Sequence, residues 1–269
     1  MKLIRSMKLM RLMLAIALVS WAPIALSVTN GTVDNTRHPN VGSIVVDFNT
    51  PGVLSQGCSG TLISPKVFLT AGHCIAFLQG KGLTRVPVTF DPVINQSVTL
   101  HEGTMHLNPL FPGPTSDPED LGVIVLDDAV VGITPATLPS PGLLDRMSAD
   151  HSLKNTLFTI VGYGATDTVF GGGPPDATQG RGIRRYATEG FTSLRPDTLD
   201  LNMNTVFGYG GSNTGDSGCP YFLGAGNSET SIVVAAAFSG DRWGIDQDLP
   251  YRLDTPEARA FLGQYVILP

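Results

Sequence analysis

The chain has 269 residues, 42% of them hydrophobic and 15% charged, with 31 Gly and 20 Pro and a formal net charge of -6. That composition suits short strands joined by turns rather than long charged helices, so a mostly β protein is expected, of one large domain or two smaller ones. The acidic balance argues against nucleic acid as a partner.

Residues 1–27 read as a removable signal peptide. Lys2, Arg5, Lys8 and Arg11 form a positive start, residues 12–18 an apolar core, and Ala25, Leu26 and Ser27 a cleavage region. The apolar run is shorter than the roughly 20 residues of a spanning helix. Loss of those four basic residues leaves 13 Lys+Arg against 23 Asp+Glu, a net charge of -10. The expected location is therefore secreted, or periplasmic in a bacterium, without membrane attachment after cleavage.

Beyond Val28 the first expected strand is 42–48. Residues 57–74 hold two short strands about a Ser64-Pro65 turn, and the second, 66–70, delivers His73 to a loop just past its end. In an exported chain Cys58 and Cys74 can pair, closing a short loop worth about 3 kcal/mol and pinning that loop. Cys219 is then left over, as a buried thiol, an intermolecular partner or a reactive group.

Strands are expected at 86–90 and 97–101. His101 and His106 are five residues apart and not on a helix, so no metal site is read there and no cofactor is expected. After a Pro/Gly-rich loop at 108–118, Asp120 precedes a nearly continuous apolar run and stands at the mouth of a buried strand, where a carboxylate needs a partner. Asp127 and Asp128, at the far end, read as solvated turn residues.

Residues 135–155 read as the connection between two β-subdomains. Strands follow at 157–164, 184–187, 199–201, 220–223 and 231–238, with a long Gly/Pro-rich loop at 171–182. Thr255 as N-cap and Pro256 at the first position begin one terminal helix. Asn30-Gly31-Thr32 and Asn95-Gln96-Ser97 are glycosylation sequons, the second the more accessible.

The stretch Asn213-Thr214-Gly215-Asp216-Ser217-Gly218-Cys219-Pro220 holds a serine between glycines, which permits a tight turn presenting a nucleophile. Backbone N–H groups there can converge on a developing oxyanion. His73, Asp120 and Ser217 together supply base, orienting carboxylate and nucleophile. The order His, Asp, Ser excludes the α/β-hydrolases, since no histidine follows Ser217 and Cys219 breaks their Gly-x-Ser-x-Gly elbow.

Leu69-Thr70-Ala71-Gly72-His73-Cys74, Asp120-Leu121-Gly122-Val123 and Gly215-Asp216-Ser217-Gly218 resemble the three active-site motifs of the trypsin/chymotrypsin-like serine proteases. The resemblance spans nearly all of 28–269. It implies two six-stranded antiparallel β-barrels with a C-terminal helix, a cleft between them, and an oxyanion hole from Gly215 and Ser217. Val28 is similar to the family's mature N-terminus, which implies a freed amine pairing with Asp216. Export alone would then generate the activating terminus.

Two departures stand out: Cys219 replaces a glycine of the family, and Asn213 replaces a disulfide cysteine. Gly211 occupies the position that is aspartate in members cutting after Lys or Arg, so small or apolar residues are expected at the cleavage site. Ser239, Gly240 and Asp241 are expected to wall the primary pocket.

The reading is a secreted serine endopeptidase, a monomer acting on polypeptides and open to protein inhibitors. A catalytically weak or inactive homologue acting as a binding protein, and an esterase using the same site, are the alternatives.

Overall fold

A computed structural model describes residues 28–47, 51–113, 119–166, 179–241 and 244–269. The expected signal peptide, most of the 171–182 loop, Phe48 of the first expected strand and part of the 108–118 loop lie outside the described residues.

Two closed antiparallel barrels of six strands make up the fold. The first is β2 (Val41–Val46), β3 (Ser55–Ser64), β4 (Val67–Thr70), β7 (Gly122–Leu126), β6 (His101–Leu107) and β5 (Arg85–Thr89), in that spatial order. The second closes through β8 (Leu157–Gly162), β9 (Arg185–Leu194), β10 (Leu199–Asn202), β13 (Gln247–Arg252), β12 (Val233–Gly240) and β11 (Pro220–Leu223). A two-residue strand, β1 (Thr32–Val33), adds to the outside of β9.

Each barrel has its own apolar filling, and a third cluster joins them. Phe68, Val88, Met105 and Ile124 fill the first; Phe158, Ile160, Leu201 and Val234 fill the second, together with Val28. Between them Val41, Leu69, Val123, Tyr163 and Phe222 pack with Phe261 and Leu262 of α3 (Pro256–Leu262). Thr255 caps α3 as expected, its hydroxyl accepting from the Ala258 N–H at 3.3 Å.

Several expectations need correction. Among the described residues two further α-helices occur, α1 (Gly72–Gly80) and α2 (Leu143–Ala149), so His73 stands on the first turn of a helix and not in a loop. The strand expected at 97–101 begins at His101, where pairing with β5 starts, and pairing with β7 follows from Gly103. Its predecessor is a turn tied by the Ser97 N–H to Asn95 Oδ1 and the Thr99 N–H to Asp91 Oδ2. The strand expected at 184–187 runs on to Leu194 because neighbours on both sides extend its ladder. β13 was missed, since Pro250 within a run argues against a strand; here Pro250 has no register partner.

Candidate active site

α1 begins without a side-chain cap of its own, since Ala71 has none to offer. Asp120 supplies one from across the barrel. Its Oδ1 accepts the His73 backbone N–H at 2.7 Å, and its Oδ2 holds His73 Nδ1 at 2.7 Å. One carboxylate thus satisfies an orphan amide at a helix start and fixes the imbalance of the imidazole's two nitrogens, leaving Nε2 outward. Gly72 makes the approach possible: a Cβ there would lie 3.0 Å from Asp120 Oδ1 and 2.9 Å from the Leu121 carbonyl. The Cys58–Cys74 disulfide ties the same turn to β3, with Cα atoms 6.5 Å apart.

The turn carrying Ser217 is held on every side. Ser217 O accepts from the Ser59 N–H at 3.0 Å, and the Gly218 N–H donates to Ala237 O at 2.7 Å. Gly218 also abuts Thr70 and Ala71, the residues leading into α1, which docks the serine's turn of the second barrel on the histidine's turn of the first. Among the described residues Ser217 Oγ makes no hydrogen bond, and neither do the N–H groups of Gly215 and Ser217. Catalytic hydrogen bonds of unliganded hydrolases commonly close only with substrate.

Asp216 points inward, away from Ser217. It accepts from the Gly164 N–H at 2.8 Å and the Asn213 N–H at 3.0 Å, while its own N–H donates to Asn213 O. Asn213, at the position of the missing disulfide cysteine, therefore stitches the loop through its backbone. Burial pushes the Asp216 carboxyl up to about 7, despite those two amides. Val28 is wholly buried, and next to it the Thr29 N–H donates to Gly211 O at 2.9 Å. Cys219 is buried and unpaired, and its burial raises the thiol well above its ordinary value. A thiol in that state is not a reactive group.

Beside Ser217 opens a cavity of about 210 Å³, walled by Ser212, Asn213, Phe238, Ser239, Gly240 and Asp241 among others. Gly211 lies one layer behind, buried against Met203 and Glu189. Sequence reasoning missed what backs this cavity. Asp248 accepts from the Ser212 N–H at 2.8 Å, the Ser212 hydroxyl at 2.7 Å and the Tyr221 hydroxyl at 2.5 Å. Glu189 is fully buried beside it, and burial first, then Asp248, holds its carboxyl well above the usual range. Gly211 leaves its own position without an acid; Asp248 places one behind Ser212. Asp248 sits inside a strand, where an isolated acid signals a buried role only once the strand itself is recognised.

The trypsin family model matches residues 31–248. The chain belongs to the trypsin family. Among solved structures this trypsin-family chain is similar to a double mutant of human heparin binding protein (CAP37), with a TM-score of 0.63 and 19% identity over 88% of this chain and 96% of that one. It is likewise similar to heparin binding protein in an atomic-resolution structure, at 0.62 and 19% over 90% and 98%. At such identity the likeness concerns the fold. Among the described residues no helix is long and apolar enough to cross a membrane.

Proposed function

We propose that this trypsin-family protein is an exported serine endopeptidase, with His73, Asp120 and Ser217 as its catalytic residues. The observation that carries the reading is the His73–Asp120 pair, whose Nε2 is left open beside the docked turn of Ser217. In the reaction His73 takes the Ser217 proton as Oγ attacks the peptide carbonyl, and Asp120 stabilises the imidazolium. The unpaired N–H groups of Gly215 and Ser217 receive the oxyanion. His73 then protonates the leaving amine, and water releases the acyl group by the reverse path.

Residues 1–27 serve as the export signal, and 28–269 form one catalytic unit whose barrels meet near 135–155. Cleavage after Ser27 frees the Val28 amine for the buried Asp216, which no cation faces at ion-pair distance among the described residues. The product is a secreted, or periplasmic, monomer that takes polypeptide substrates in the cavity of Ser239, Gly240 and Asp241 and is open to protein inhibitors.

Fluorophosphonate labelling of the processed protein tests this. Covalent capture that disappears in Ser217→Ala is the expected result. Absence of Ser217-dependent labelling in protein starting at Val28 would sink the hydrolase reading and favour a binding homologue. Turnover of esters but no peptides would assign the same site to an esterase.

A further inference from the structure

We infer that Arg181 and Gln56 are positioning residues for the oxyanion hole, a relay that sets the direction of the Gly215 N–H; this rests on the hydrolase reading above. Gly215 sits at φ 99°, a left-handed conformation suited to glycine, between two peptide groups that are both held. On one side Thr214 O accepts from the Ala165 N–H at 2.8 Å. On the other, Gly215 O accepts from Gln56 Nε2 at 2.7 Å and from the Ser59 hydroxyl at 3.1 Å. The Gly215 N–H lies in the first of these planes, with Thr214 O; the second, which carries Gly215 O and the Asp216 N–H, holds the far side of the Gly215 Cα, so the N–H cannot swing about that atom without breaking the Gln56 bond.

Gln56 can do this in only one of its two amide orientations. Turned over, the amide would set oxygen against oxygen at Gly215. Arg181 removes that choice: its Nε donates to Gln56 Oε1 at 2.7 Å, which leaves the NH₂ end for Gly215. The guanidinium is itself anchored, with Nη2 donating to the carbonyls of Gln56 and Gly57, each at 3.0 Å. Arg181 also lies over the Gly215 Cα, where any Cβ would fall 2.9 Å from Nε and 2.6 Å from Gln56 Oε1. A cation tied to three acceptors of β3 is placed to brace the loop and not to reach for substrate. Lysine could not reproduce this, because the brace uses the planar fork of arginine.

The decisive variant is Gln56→Glu, which keeps a partner for Arg181 but offers Gly215 O no donor. Loss of an oxyanion donor costs about 10²- to 10³-fold in kcat, and a misdirected donor is expected to cost about 10- to 100-fold on that scale. KM should stay within about threefold. Affinity for a peptide aldehyde, whose adduct carries an oxyanion, should fall in step with kcat. Affinity for a peptide lacking the reacting carbonyl should not change. Arg181→Ala should move the same quantities in the same direction by less, and Arg181→Lys should not restore them.

Crystal structures of Gln56→Glu and Arg181→Ala, together with their melting temperatures, separate misdirection from unfolding. A Gly215 peptide unturned in both, with kcat within twofold of wild type, overturns the relay. Should wild type itself show no Ser217-dependent labelling, the hydrolase reading falls. The orientation of the Gly215 peptide in Gln56→Glu then still decides the relay, and an unturned peptide refutes it.

Discussion

The same small arrangement of histidine and aspartate occurs twice in this molecule. At His73, the backbone N–H and Nδ1 both bind the carboxylate of Asp120. At His38, the backbone N–H and Nδ1 both bind the carboxylate of Asp34. The difference lies at Nε2. His38 Nε2 meets Glu229 at 2.7 Å, Asp34 also binds Arg184 at 2.8 Å, and the imidazole is 5% exposed. His73 is 30% exposed, with Nε2 unbonded among the described residues and Ser217's turn beside it. An aspartate that orients a histidine is therefore a structural unit as readily as a catalytic one, and the unspent nitrogen distinguishes them.

The largest effect should come from removing the open histidine. His73→Ala is expected to lower peptide hydrolysis by about 10⁴-fold or more while leaving the urea midpoint close to wild type. A rate loss under tenfold would place the general base elsewhere. His38→Ala should do the opposite. It takes the shared cation from buried Asp34, which keeps Arg184, and from half-buried Glu229, which keeps Arg37, a loss of about 3 kcal/mol in urea unfolding, with kcat per folded molecule little changed. If hydrolysis falls as steeply as in His73→Ala, the two sites do not differ as described.

Asp216 is a third case, a buried carboxylate that no cation faces at ion-pair distance among the described residues. Its folded value, about 7, lies above the ordinary 3.8, so the folded state holds the proton more tightly than the unfolded chain. Stability of the unprocessed protein should then fall as pH rises from about 4 through 7, by on the order of 3 kcal/mol. In protein starting at Val28 the amine should flatten that slope. Unfolding curves of both forms at pH 5 and 8 measure the difference, and equal slopes would deny Val28 the anchoring role. The smallest effect is expected from Glu229→Gln, which keeps an acceptor for His38 Nε2 and removes one of two acids. About 1 kcal/mol is the expected loss, and one as large as that of His38→Ala would mean that Asp34 contributes little.

The motifs around His73, Asp120 and Ser217 were legible because each is local: a few neighbouring residues define it. So were strand 220–223, a short run of apolar residues, and α3, with Thr255 and Pro256 at its start. What escaped depends on residues far apart. α2 has no cap in its own sequence; Asp254 provides one, accepting the Leu144 N–H at 2.8 Å across 110 positions. α1 starts on Ala71 and is capped by Asp120, 47 positions beyond His73. His38 and Asp34 are four residues apart, yet Glu229 and Arg184, which make the pair a buried network, are not. Arg181 follows a Gly-rich loop and gives no local sign of Gln56 or Gly215.

The chain ends are crossed: β1 belongs to the second barrel, while α3 packs in the seam between the barrels and the residues after it reach the first, where Tyr265 meets His106. Read in the direction of synthesis, this has a temporal consequence. His73 and Asp120 emerge early, but Ser217 must wait for Ala237 to hold Gly218, and the seam between the barrels waits for Phe261 and Leu262. Neither half can be completed by its own stretch of chain. Under the proposed function, a polypeptide still being threaded through an export channel is a harmless one, and competence arrives only with the last turn of helix.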